Sequence, residues 1–266
     1  WSTGGLAGQI GNNSIVSACS SSGYVNSYQD MGGLIGRSYQ NSGIVACYSS
    51  ASVLGSGGIR TGGLVGNNEN STVSASFSNG SVYSYSNHVG GLVGTNTVGA
   101  IINSYNLGPV SGQIYTGGLV GYNDRGSISD CYSVGSVNGT SNVGGLIGQN
   151  ASATVLNCYW NTQTSGQATS AGGKGRTTAE MTWPYVEYCY EGWNWNDWIP
   201  DTGHNSNEGY PYLYYYIDDY QDTPSYAINP SPGESTQSMD GNIVLSWQGQ
   251  VNENYSNLFT GFKFWL

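Results

Sequence analysis

Charge is what this chain of 266 residues has least of. Charged side chains make up 8% of it, against about 25% in an ordinary soluble domain. Lysine occurs only at Lys174 and Lys263. Six basic residues stand against sixteen acidic ones, for a formal net charge of −10. Binding to nucleic acid rests on neutralising phosphates, and this balance excludes it. No apolar run approaches the ~18 residues that a membrane helix needs, so membrane insertion is not expected. Ala, Leu, Glu and Lys are scarce, which excludes a helical bundle. The five cysteines form no Cys-x-x-Cys pair, so no metal centre is expected. What the chain does have is Gly (42 residues), Tyr (22) and Trp (8), with 38% hydrophobic and 13% aromatic content. That is enough to build a core, and it argues against disorder. The composition points to a Gly- and turn-rich all-β chain working outside a cell.

The sequence repeats itself. Gly-Gly-Leu-(Ala/Ile/Val)-Gly occurs six times, beginning at Gly4, Gly32, Gly62, Gly90, Gly117 and Gly144. A second motif travels in step: Val16-Ser-Ala-Cys19, Val45-Ala-Cys47-Tyr, Val73-Ser-Ala-Ser76-Phe, Ile102-Asn-Ser104-Tyr, Ile128-Ser-Asp-Cys131-Tyr and Val155-Leu-Asn-Cys158-Tyr. A Gly-x-Val element follows in most copies, as at Gly80-Ser-Val82 and Gly135-Ser-Val137. Short apolar segments between Asn/Ser/Gly turns read as strands. One repeat is too small to bury a core alone, so the coils are expected to stack at ~4.8 Å with parallel pairing. The reading is a parallel β-solenoid of about six coils. Leu6, Leu34, Leu64, Leu92, Leu119 and Leu146 form an inward ladder. Cys19, Cys47, Ser76, Ser104, Cys131 and Cys158 form a second ladder of small side chains. The glycines are expected to supply positive φ at the corners and to let neighbouring backbones approach closely.

These motifs resemble the GLUG repeat of bacterial surface proteins, with its Gly-Gly-Leu-Val-Gly, Asn-Cys-Tyr-Ser and Gly-x-Val elements, over about residues 3 to 160. The tail, Gly172-Gly-Lys-Gly-Arg-Thr-Thr-Ala-Glu-Met181 followed by a Trp-rich stretch and Gly209-Tyr-Pro-Tyr-Leu213, is similar to the tails of such proteins. The resemblance implies a β-solenoid and a location at a bacterial cell surface, in proteins that include adhesins. The resemblance implies no catalytic role for the repeat itself. Ser20 departs from the pattern, which wants an aromatic residue there.

Composition shifts along the chain. Only four acidic residues (Asp30, Glu69, Asp124, Asp130) precede residue 161, and twelve follow. We therefore divide the chain into a solenoid (1–165), an aromatic-rich C-terminal cap (166–220), a Pro-rich linker (221–240) and a β segment (241–266). The cap is expected to cover the open end of the stack, with Thr177-Thr-Ala-Glu180 in capping-box form and a last strand over 210–217. Asn242-Ile-Val-Leu-Ser-Trp247 is similar to the opening of a fibronectin type III or other Ig-like module. Two explanations of the chain's ends stay open. Either it is a segment of a longer surface protein, or solenoids stack head to tail into a filament, the apolar tail donating a strand.

The chemistry-bearing residues give three hypotheses. In the leading one the chain is a non-catalytic extracellular structural or adhesive repeat, with neighbouring domains or further copies of itself as partners and no cofactor. In the second, Trp193, Trp195, Trp198, Tyr210 and Tyr212 form a glycan-binding platform. The third is a polysaccharide lyase-like enzyme. It would need clustered carboxylates or basic residues for acid–base work, whereas the four acids and Arg37, Arg60 and Arg125 of the coils read as scattered. The Tyr48, Phe77, Tyr105, Tyr132 and Tyr159 column should point outward, since side chains alternate along a strand. Disulfides between Cys19 and Cys47, or Cys131 and Cys158, are geometrically conceivable. Asp218, Asp219 and Asp222 read as a solvated acidic turn. An outward Thr array for ice binding would use Thr3, Thr61 and Thr116, but Met31, Val89 and Val143 interrupt it.

Overall fold

A computed structural model describes residues 2–214. Readings that fall on 215–266 (the acidic turn, the Pro-rich linker, the Ig-like opening and the end of the last strand) lie outside the described residues. Six coils follow one another, the first five with five short strands each and the sixth with four. In the third coil these are Arg60–Gly62, Val65–Glu69, Thr72–Ser74, Phe77–Ser78 and Val82–Ser84. Equivalent strands stack coil upon coil, all in parallel. We number the five resulting sheets 1 to 5 in the order the chain visits them. The protein is thus an all-β parallel solenoid, and it runs in strict register: Thr3, Met31, Thr61, Val89, Thr116 and Val143 form one column of sheet 1.

Leucine lies over leucine. Each motif Leu N–H donates to the Leu carbonyl of the next coil, from Leu6 to Leu34 (2.9 Å) through to Leu119 and Leu146 (2.8 Å). Leu34, Leu64, Leu92, Leu119 and Leu146 are wholly buried, while Leu6, in the first coil, is 43% exposed. With Ile35, Val65, Ile44, Val73 and their equivalents they make the main core between sheets 2 and 3. A second core lies between sheets 1 and 5, built from Val25, Met31, Ala51 and Val53 and then Val82, Val89 and Val110. The Gly pairs separate the two. A Cβ on Gly63 would meet Gly91 O and the Ser78 side chain across the coil, so the interior is pinched there to backbone thickness. None of these motif glycines has positive φ. The expectation that glycine supplies left-handed turns holds at Gly23 and Gly57 but not after sheets 2 and 3, while the Gly-Gly pairs serve close approach as expected. The left-handed corners there belong to other residues, Asn70, Val98, Arg125 and Ser152 after sheet 2, and Ala46, Ala75, Asn103 and Asp130 after sheet 3.

Each of those corners has its own internal support. After sheet 2, Asn68, Asn96, Asn123 and Asn150 form a ladder, each amide donating to the next Oδ1 at 2.8 Å. The same amides tie down the turn, as Asn68 Nδ2 does to Ser71 O (3.0 Å) and Asn96 Nδ2 to Gly99 O (3.1 Å). After sheet 3 the Cys/Ser column points inward. Ser76 Oγ donates to Ser74 O and Ser104 Oγ to Ile102 O, both at 2.7 Å, and Cys131 and Cys158 Sγ make the same bond at 3.0 Å. Each side chain also accepts from the coil before: Cys47 N donates to Ser76 Oγ (3.0 Å) and Ser76 N to Ser104 Oγ (3.2 Å). A thiol and a hydroxyl both fill this place, which accounts for their interchange. All five cysteines are free thiols.

The stack is closed at its C-terminal end by a short cut. After the sixth coil's strand of sheet 4, Tyr159–Asn161, a helical turn (Thr162–Ser165) begins, capped by the Asn161 side chain. The chain then pairs beside the sixth coil (Gly145 N to Thr169 O, Ala171 N to Ile147 O), crosses the main core at Gly172-Gly173 and re-enters sheet 4 as Lys174–Arg176. The aromatic segment beyond it does not sit on this end. It lies on the flank, over the outward ring column of sheet 4. A capping box starts it, with Thr177 and Glu180 bonding reciprocally, and an antiparallel pair, Trp198–Ile199 with Tyr212–Leu213, closes it. The column of rings is stacked from Tyr48 through Phe77 and Tyr105 to Tyr132, with centroids 4.9–5.1 Å apart and planes within 5°. The flank segment buries its C-terminal part, leaving Tyr105, Tyr132 and Tyr159 at most 4% exposed.

Candidate functional site

The flank segment, which carries the five residues expected to form a glycan platform, is mostly core. Trp193, Trp198 and Tyr210 are 5%, 1% and 3% exposed. Trp193 stacks on Trp198 at 4.3 Å, and Trp198 reaches Tyr105 and Tyr132 at 5.8 Å. Their polar atoms are engaged inward: Trp193 Nε1 donates to Asn157 O (2.7 Å), and Asn161 Nδ2 donates to the Tyr210 hydroxyl (2.7 Å). Burial pushes the Tyr105, Tyr132 and Tyr190 hydroxyls well above the ordinary phenol range. Tyr212 is half-buried, and of the five platform residues only Trp195, at 43%, is exposed. A platform made of all five is therefore corrected to a satellite core: the rings of coils four to six offer an apolar flank that must be covered. The threonines of sheet 1 are corrected too. They face the second core, Thr61 being wholly buried and bonded to Ser84 and Ser86, because the glycines beside them hold this strand against sheet 5.

The charged residues of the coils are not scattered, contrary to the reading from sequence. Each Gly-Gly-Leu-x-Gly corner carries two outward residues, one two places before it and one directly after it, seven apart in the chain. They are Ser2/Gln9, Asp30/Arg37, Arg60/Asn67, His88/Thr95, Tyr115/Tyr122 and Asn142/Gln149. The register stacks the first members on sheet 1 and the second members on sheet 2. The corner folds the two columns together. Gln9 Nε2 donates to Ser2 Oγ (3.1 Å), His88 Nδ1 lies 3.0 Å from Thr95 Oγ1, Tyr115 and Tyr122 are 5.4 Å apart, and Asn142 Nδ2 donates to Gln149 Oε1 (3.3 Å). The result is a seam down the outside of the stack.

Four of the coils' charges meet in this seam. Arg60 Nε contacts Asp30 Oδ1 at 3.1 Å, and Arg37 Nη2 donates to Glu69 Oε2 at 2.6 Å. Arg37 also lies over the Tyr39 ring, 5.0 Å from its centroid. Asn67 sits between Arg37 and Thr95 on sheet 2; it is 1% exposed, and neither atom of its side-chain amide has a partner within the protein, nor has Arg37 Nε. Below them three rings come together, His88 with Tyr122 at 4.9 Å and with Tyr115 at 5.3 Å. Burial, helped by the nearby Arg60 charge, lowers the His88 pKa to about 4. The imidazole is therefore neutral at neutral pH. Arg125 pairs with its neighbour Asp124 instead, at 3.0 Å. It borders a shallow depression of about 340 Å³ lined mainly by small side chains such as Thr72, Ala100 and Ser127. Among the described residues no group of three or more His, Cys, Asp or Glu side chains is placed to hold a metal ion, and no helix is long and apolar enough to cross a membrane.

Repeated coils in register, a ladder-filled interior and a closed C-terminal end define a parallel β-solenoid repeat protein. The family model of the GLUG motif matches residues 112–138, a stretch that runs once around the fifth coil, from before the sheet 1 strand Tyr115–Gly117 to the sheet 5 strand Val137–Asn138. One turn of the solenoid therefore carries the GLUG motif, and the Gly-Gly-Leu-x-Gly element of that turn recurs in the other five coils. No curated protein and no solved structure matches it.

Proposed function

We propose that this chain is a non-catalytic structural and adhesive repeat of a bacterial cell-surface protein, working outside the cell. The observation that carries the reading is the interior. Ladders of Leu, Val/Ile and Cys/Ser run through the coils, joined in coils three to six by an Asn ladder that satisfies the turns, so the stack is a rod whose uncovered faces can carry contacts. The carboxylates of the seam, Asp30 and Glu69, are each held by an arginine, which favours a positioning role over a proton-transfer one. A net charge of −10 opposes unspecific self-association. Head-to-tail stacking is the weaker form of this reading, because residues 162–176 occupy the C-terminal end that a second copy would need.

An antibody raised against the purified chain tests the location. It is expected to label intact source cells, and protease added to those cells should remove the label. Labelling only after permeabilisation would overturn an outside role. Negative-stain imaging tests the form: isolated short rods are expected, and regular fibres would restore the filament.

A further inference from the structure

The seam contrasts with its neighbouring sheet 3, where one outward column is small: Gly43, Thr72, Ala100, Ser127 and Thr154. Beside the invariant Gly-Gly-Leu-x-Gly corner, by contrast, the side chains change from coil to coil and are large and polar or aromatic. A constant scaffold presenting a varied pair on each rung is how solenoids build extended recognition surfaces. We propose that this seam is a binding site for a neutral saccharide chain, lying along the stack over coils two to six.

Four features select that ligand. First, the charges cancel. Asp30 and Glu69 balance Arg37 and Arg60, and both pairs are closed, so the seam offers neither an anion nor a cation a net attraction. Second, the rings of Tyr115 and Tyr122 are half-buried and present apolar surface with a polar tip, which suits a sugar ring with one CH face and a hydroxyl rim. Third, hydrogen-bonding capacity remains in the same seam, on coils two and three, two or more rungs from those rings. The Asn67 amide and Arg37 Nε are unpartnered within the protein, and buried polar groups of native proteins seldom stay so. An amide that both donates and accepts matches a hydroxyl. Fourth, the rungs repeat at ~4.8 Å, close to the length of one pyranose unit, so successive sugars can meet successive coils. The neutral His88 keeps the centre of the seam uncharged. The proposal goes beyond the structural role, since a stack that bound no sugar would still be a rod.

The test is affinity electrophoresis and calorimetry of the 266-residue chain near neutral pH. The probes are cello-, manno-, malto- and chito-hexasaccharides, with oligogalacturonate and heparin fragments as acidic counterparts. At least one neutral hexasaccharide is expected to bind, and more tightly than its trisaccharide. Tyr122→Ala should weaken it about tenfold or more, and Tyr115→Ala similarly, with unchanged circular dichroism and melting. Trp195→Ala, on the flank segment, should leave binding intact. The proposal is overturned if none of the neutral probes binds, if only the acidic ones do, or if binding is lost with Trp195 and kept without Tyr122. Should Tyr122→Ala unfold, Asn67→Leu serves in its place, because it removes the unpartnered amide and keeps similar volume.

Discussion

At the scale of single residues, one small polar atom holds each corner between sheets 3 and 4. Ser104 Oγ donates to Ile102 O and accepts from Ser76 N, so it serves two buried backbone groups of neighbouring coils. Ser104→Ala should cost ~1–3 kcal/mol, the usual price of leaving such groups unmade, whereas Ser104→Cys, which copies Cys131, should cost far less. Urea unfolding of the two variants checks this, and equal losses would refute the dual role. His88 gives a second prediction. Its folded pKa of about 4 lies below the ordinary 6.5, so between these values the unfolded chain binds a proton that the folded chain does not. Stability should therefore fall as pH drops from 6.5 toward 4 and level off below that range; His88→Gln should flatten the slope there in pH-dependent melts. The inward Leu and Cys/Ser columns were legible in the sequence because strict periodicity fixes them. The seam was not, although its signal was present: it lies in the two residues flanking each motif, and composition counts spread those over six repeats. The left-handed corners at Ala46, Ala75 and Val98 were hidden too, since alanine and valine rarely take positive φ and Gly99, beside Val98, is used for close approach instead.

At the scale of elements, the flank segment is held by a polar lock as well as by its rings. Asp201, 4% exposed, accepts from four backbone N–H groups, those of Asn205 (3.2 Å), Ser206 (3.3 Å), Asn207 (2.8 Å) and Gly209 (2.9 Å). The loop so formed aims Asn207 Nδ2 at the Tyr132 hydroxyl (2.6 Å) and Pro211 O (3.1 Å). Burial works against the Asp201 charge, but the four donors outweigh it and the carboxyl titrates below its ordinary value. Its contribution is thus present above the unfolded carboxyl's pKa and lost as pH falls through the folded one. Asp201→Ala should loosen the flank by ~3 kcal/mol, on the scale of two or more buried donors left unpaired. Acrylamide quenching of tryptophan emission should rise while the amides of coils two to four keep their exchange protection. Loss of protection throughout the coils would mean that flank and stack fold as one unit. The sequence displayed this element's capping box and its ring density, but not its place. Nothing in Trp183 to Leu213 says whether it covers an end or a side. That is decided by the rings of Tyr105, Tyr132 and Tyr159, an apolar surface on the coils that has to be buried by something.

At the scale of the whole molecule, stability in a stack is a sum of coil and neighbour terms, and the two ends of the described stack are unequal. At the C-terminal end residues 162–176 donate a further strand to sheet 4 and cover Leu146 and Cys158. At the other end Leu6 is 43% and Ile15 67% exposed, and Ala7, Ile10 and Val16 are only partly buried. A rung with one neighbour has half the ladder bonds and half the burial of a rung with two, so opening should begin there. Hydrogen exchange on this chain is expected to run as a gradient, fastest in residues 2–27, slower in the second coil and slowest in coils four and five. Substitution should follow the same order: Leu92→Ala, with a leucine above and below it, should cost ~2–5 kcal/mol, and Leu6→Ala under about 1 kcal/mol, because much of its side chain is already in water. Uniform exchange across the coils, or equal costs at Leu6 and Leu92, would contradict a ladder built from nearest-neighbour contacts. If instead both the gradient and the inequality appear, any partner that protects residues 2–27 in the same experiment is completing the first rung. Its contact could then be told apart from one in the seam, which would slow exchange along sheets 1 and 2 in coils two to six.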